Sequence, residues 1–79
     1  MNENELKEIY EIIKKLWAFI REYSQNMYKT NGFWDSEDDR VRILISESDY
    51  QPEHIRRFAE SVFTAADILL RDVYYKNRR

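Results

Sequence analysis

The chain has 79 residues, 43% of them apolar, 15% aromatic and 35% charged, with a net charge of −2, one glycine, one proline and no cysteine. That composition excludes disulfide staples, thiolate-held zinc or iron–sulfur centres, a disordered tail, and a whole-chain field that draws in nucleic acid. One domain is expected at this length, marginal in its own core unless a metal, a staple or a second chain supports it.

The first eight residues are acidic and polar. They lack the basic flank and apolar core of a secretory signal, and no apolar run approaches the ~20 residues of a membrane span. A cytoplasmic location is the expectation. With so little Gly and Pro to break helices, the expected class is all-α.

Asn2 is a candidate N-cap, with Glu5 three residues on in a capping-box position. From there Leu6, Ile9, Ile13, Leu16, Ile20, Tyr23 and Met27 recur at steps of three and four, the seam of a helix held for roughly three heptads. Tyr10 and Trp17 run along one flank of the seam and Ile12 and Phe19 along the other, so the stripe spans about half the circumference. Glu3–Lys7 and Glu11–Lys15 are favourable i,i+4 pairs. The helix is expected to run to about Lys29 and to stop at Thr30-Asn31-Gly32, where glycine can adopt a left-handed conformation.

Phe33-Trp34 and an acidic run, Asp35 to Asp39, follow, with Asp35 or Ser36 able to cap a second element. Arg40 to Ser46 reads two ways. As a helix, Val41, Leu44, Ile45 and Ser48 share a face; as a strand, Val41, Ile43 and Ile45 alternate with Arg40, Arg42 and Leu44. A lone strand has nothing to pair with, so the short helix is the favoured reading. Glu47 to Gln51 is turn material, and Pro52 fits the first position of a last helix running to about Lys76. Its apolar positions include Ile55, Phe58, Val62, Phe63, Leu69, Leu70 and Val73, with Ala59, Ala65 and Ala66 allowing close approach. Asn77-Arg78-Arg79 should fray.

The expected architecture is therefore a single helical domain over residues 1–79: a hairpin of two long helices around a short middle element. One hairpin leaves part of each stripe uncovered, which argues for a homodimeric bundle with Ile13, Trp17, Ile20, Val62, Ala66 and Leu69 at the self-association face.

Charge is unevenly spread. Residues 1–31 hold five basic and five acidic side chains, residues 32–54 two and seven, residues 55–79 six and three. The acidic middle lacks the alternating oxygen ligands and central glycine of a calcium loop. Its ordinary reading is a solvated helix start; its functional one is a partner-binding surface with Phe33 and Trp34 as anchors and Asp35, Glu37, Asp38 and Asp39 as rim. The ordinary reading of Phe33 and Trp34 is a plug at the end of the hairpin.

His54 is the single histidine, reads as a surface residue, and has no nucleophile at meaningful spacing. Glu22 and Glu60 could pair across a hairpin, but nothing in their spacing selects them. No phosphate loop, nucleophile elbow or Glu-x-x-His pair is present. No enzyme activity, cofactor or metal is expected.

The leading expectation is a small protein-binding module: an inhibitor or adaptor presenting an acidic, aromatic surface to a larger nucleic-acid-handling protein. Small Lys-, Asn- and Tyr-rich chains without cysteine resemble phage or mobile-element products. Two other readings stand beside it. One is a dimeric DNA-binding regulator using Arg40, Arg42, Arg56 and Arg57 around a helix-turn-helix, although Glu47, Asp49 and Glu53 would then face phosphates. The other is a structural protein whose partner is itself.

Overall fold

The computed structural model describes residues 1–29 and 31–76. Thr30, within the expected helix stop, and the expected frayed end Asn77-Arg78-Arg79 lie outside the described residues. Three helices account for most of the chain: α1 (Glu3–Asn26), α2 (Phe33–Ser46) and α3 (Glu53–Lys76). None of them is long and apolar enough to cross a membrane.

The start of α1 follows the expected chemistry. Asn2 Oδ1 accepts from the Glu5 amide at 2.9 Å, and the Glu5 carboxylate accepts from the Asn2 amide at 3.0 Å. The Asn2 amide, and then the His54 ring 2.8 Å away, hold the Glu5 carboxyl below its ordinary range. His54 is a surface residue that ties the start of α3 to the start of α1.

The middle element is helical and longer than the sequence suggested. It begins at Phe33, with Gly32 in the left-handed region at φ 73° as its N-cap, so neither Asp35 nor Ser36 caps it. The β-branched Val41, Ile43 and Ile45 lose the argument for a strand to tertiary packing. Leu44 is buried and Val41 and Ile45 are half-buried on one helical face, while Ile43 points to water. Pro52 precedes α3 by one residue, and its carbonyl accepts from the Ile55 and Arg56 amides.

The two long helices do not form an antiparallel hairpin. Glu5 meets His54 at one end, and Tyr28 stacks on Tyr74 at 5.3 Å at the other, so α1 and α3 run in the same direction. The return stroke is α2, whose start reaches the end of α3 through Trp34 and Tyr74. Its C-terminal Glu47 meets Lys15, halfway along α1, at 3.5 Å. A full helix in the middle makes three passes, and an odd number of passes leaves the first and last parallel. One consequence is that Glu22 and Glu60, about ten residues out of register, sit ~15 Å apart along the bundle and cannot pair.

The core lies where the three helices meet. Ile12 and Phe19 of α1, Phe33 and Leu44 of α2, and Ile55, Ala59, Phe63, Ala66 and Leu70 of α3 are its buried members. Met27 closes the end at which Phe19, Tyr23 and Phe33 make successive ring contacts. Phe33 thus plugs the bundle end. The particle measures 46 × 17 × 16 Å. Since α2 is only 14 residues long against 24 in each neighbour, it covers one side of the α1/α3 pair over part of its length.

Candidate functional site

Two features stand apart from the ordinary packing, and both follow from the placement of α2. The first is the side of the α1/α3 pair that α2 does not cover. Lys15 reaches α2, and Trp17, two residues on, points about 200° away from it around the helix. On α3, Asp67 and Arg71 face α2, and Leu69 between them points to the opposite flank by the same arithmetic. The far side therefore carries Leu6, Tyr10, Ile13 and Trp17 of α1, which are 46%, 57%, 49% and 67% exposed. Leu69 of α3 is exposed beside them, and Phe58 and Val62 are half-buried at the seam. Lys14 lies over the Tyr10 ring at 5.2 Å. Of the two flanks of the α1 stripe, the Ile12–Phe19 flank is the core, and the Tyr10–Trp17 flank is open to solvent.

The second feature is a carboxylate cluster between α2 and α3. Glu37 is fully buried, and neither of its oxygens has a hydrogen-bond partner among the described residues. Burial first, and then the neighbouring Asp67 carboxyl, push the Glu37 carboxyl up to about 8; Arg71 pulls in the opposite direction. A protonated Glu37 can share its proton with Asp67. Arg71 spans the cluster, with Nε 3.0 Å from Asp67 and one terminal nitrogen 2.8 Å from Asp38. Its guanidinium rests on the Trp34 ring at 4.5 Å.

Glu37, Asp38 and Asp67 each offer an oxygen within 4.8 Å of the others, close enough to share a cation. Arg71 already supplies a positive charge to two of the three, and a proton neutralises the third. The arrangement joins α2 to α3.

The residues singled out in the sequence are distributed as follows. Of the acidic-aromatic set, Phe33 and Glu37 are buried, Trp34 is half-buried against Arg71 and Tyr74, and Asp38 is bonded to Arg71. Asp35 and Asp39 remain exposed. A run that starts a helix rather than a loop turns every third or fourth member inward, here Phe33 and Glu37, which is why these six residues do not share one surface. Of the self-association set, Ile13, Trp17 and Leu69 are exposed, Ile20 and Val62 are half-buried, and Ala66 belongs to the core of the single chain.

Arg40, Arg42, Arg56 and Arg57 are exposed, with Arg57 2.8 Å from Glu53 and Arg42 3.9 Å from Asp39. The α2 and α3 helices around them pack antiparallel, with Trp34 against Tyr74 and Asp38 bonded to Arg71.

Sequence reasoning missed the junction of Glu37 with Asp67 and Arg71. Asp67 and Arg71 stand four residues apart, the spacing of a helical ion pair, but nothing local brings Glu37, 30 residues away, against them. Leu6 and Tyr10 were visible in the stripe, but which flank would stay open depends on where α2 packs. Comparison with protein families, curated proteins and solved structures finds no match for this chain.

Proposed function

We propose that this chain is a small, non-catalytic protein-interaction module that docks its partner through the open face of α1 and α3. The observation that carries the reading is the contiguous row Leu6, Tyr10, Ile13 and Trp17, each about half exposed or more. Taking ~150–250 Å² for each large side chain, the row leaves on the order of 450 Å² of apolar surface in water. A patch of that size is comparable to the largest apolar patch on a typical single chain, ~300–600 Å², which is often functional, and an aromatic pair flanked by aliphatic side chains is the usual make-up of an interface centre. For the non-catalytic part of the reading, the carboxylate cluster found among the described residues is compensated, Asp38 and Asp67 by Arg71 and Glu37 by a proton.

This reading keeps the protein-binding role and moves its surface. The acidic-aromatic patch on α2 is disfavoured because Phe33 and Glu37 point inward. An inhibitor or adaptor of a nucleic-acid-handling protein is compatible with the new surface.

The test uses a dye that fluoresces on bare apolar surface, anilinonaphthalene sulfonate, at sub-micromolar protein. The isolated chain should enhance its fluorescence. The double variant Tyr10→Glu, Trp17→Glu should lose most of the enhancement while keeping its helical circular dichroism, because both sites are exposed. Equal dye binding by the two proteins contradicts the reading.

A further inference from the structure

We infer that the occupant of the open α1/α3 face is a second copy of this chain, packed antiparallel with α1 against α1 across a two-fold axis between Tyr10 and Ile13. The inference rests on the docking-face reading above and names its partner.

Four observations select a second copy in this orientation. The first is the spacing of the open row. Leu6, Tyr10, Ile13 and Trp17 are separated by steps of four, three and four. Read backwards, the row is the same. A two-fold axis at its midpoint sets Leu6 of one copy against Trp17 of the other, and Tyr10 against Ile13, so one patch is its own complement. That self-complementarity is what a two-fold interface requires.

The second is charge at the edges of the row. Glu3 and Arg21 are 18 residues apart, five full turns, so they lie on the same edge of α1 beyond opposite ends of the row. Both are exposed. The same axis brings Glu3 of each copy beside Arg21 of the other at the ends of the apolar contact; between them it sets Lys7 of each copy near Lys14 of the other, whose charge is shared with Glu11 at 3.4 Å and the Tyr10 ring at 5.2 Å. A parallel second copy would set Glu3 against Glu3 and Arg21 against Arg21.

The third is the direction of the long helices. Because α1 and α3 are parallel, the positive ends of both dipoles lie at one end of the bundle and the negative ends at the other. An antiparallel copy sets opposite ends side by side, whereas a parallel copy stacks four long helices with like ends together.

The fourth is size. A stable interface buries roughly 800 Å² on each partner. The row on α1 supplies about half of that, ~450 Å², and exposed Leu69, half-buried Phe58 and Val62 and the polar edge border it.

The chain contains no cysteine, so single spin labels can be placed at will. The experiment is sedimentation equilibrium together with pulsed dipolar spectroscopy on Lys14→Cys and, separately, Gln25→Cys. The expected mass is twice the 9.8 kDa of the single chain. Each label pair should be separated along the helix axes by about 8 Å at position 14 and about 40 Å at position 25. Short and equal separations at both positions mean a parallel dimer and overturn the inference.

A single-chain mass up to roughly 0.5 mM also overturns it. The docking face would then belong to a different chain, and the reading of the face would stand unless the dye experiment failed as well. Trp17→Glu should weaken dimerisation roughly 1000-fold, since each lost side chain counts twice in a two-fold contact. Arg21→Glu should weaken it less, and Glu3→Arg in the same chain should restore it. Failure of that charge swap to restore the dimer overturns the proposed register.

Discussion

Replacing Glu37 by glutamine should make the protein more stable at alkaline pH and nearly unchanged in acid. In the folded chain the Glu37 carboxyl is pushed up to about 8 by burial and by Asp67, against an ordinary value of 4.5. Between those two values the folded state holds a proton that the unfolded chain has released. Stability must therefore fall as pH rises from about 4.5 to about 8, and level off above that. An interval of about 3.5 pH units at about 1.4 kcal/mol each sets a ceiling of ~5 kcal/mol. Sharing of the proton with Asp67 and approach of Arg71 reduce it, so a loss of ~2–5 kcal/mol is expected.

For a domain of this size that loss is a large part of the total. Glutamine has the same shape, carries no charge at any pH, and can donate its amide N–H to Asp67. Urea unfolding of both proteins, at one protein concentration and at pH 5, 7 and 9, isolates the effect, because every other titrating group is common to the pair. The midpoints should agree at pH 5 and diverge by roughly 1–3 M urea at pH 9, with the variant the more stable. Parallel pH profiles would refute the reasoning, since they would mean that Glu37 titrates alike in the folded and unfolded chains.

Two further substitutions test neighbouring parts of the fold. Arg71→Leu removes the cation shared by Asp38 and Asp67 and its contact with the Trp34 ring; it should cost ~1–3 kcal/mol in urea unfolding and shift Trp34 fluorescence, while an unshifted spectrum would contradict the stacking. Gly32→Ala adds a Cβ that meets nothing within 4 Å, so its cost is that of the left-handed backbone alone, ~1–2 kcal/mol or a fall in Tm of roughly 4–12 °C, and Gly32→Asn should cost less; equal melting of all three would contradict the assigned conformation.

What the sequence made legible was local. The Asn2–Glu5 box and the left-handed Gly32 are fixed by the chemistry of a few adjacent residues, and the structure contains both; α1, however, ends at Asn26 and not near Lys29, Gly32 caps the start of α2 and not the end of α1, and α3 begins at Glu53, one residue past the expected Pro52. The all-α class followed from periodicity in two long segments. The direction of packing did not, because an apolar stripe says that a helix must be covered and not which helix covers it. A middle element capped at Asp35 or Ser36 and centred on 40–46 is too short to span the bundle and leaves a hairpin; begun at Phe33 it has 14 residues and makes three passes and a parallel pair. That start also places Glu37 in the interior, while Phe33 is buried at the bundle end. The burial of Glu37 had no local signal, since an acidic run at a helix start is ordinarily solvated. The open face was half legible: Trp17 and Tyr10 were visible as one flank of the stripe, and the position of α2 decided that this flank stays bare.

The most direct test of the central claim asks whether Trp17 is covered. In a Trp34→Phe background Trp17 is the one remaining tryptophan, and it is 67% exposed in the single chain. Acrylamide quenching of its fluorescence should be strong in dilute protein and fall as concentration rises, in step with the dimer fraction from sedimentation. Quenching as efficient as that of free indole at every concentration would mean that no second copy covers the face.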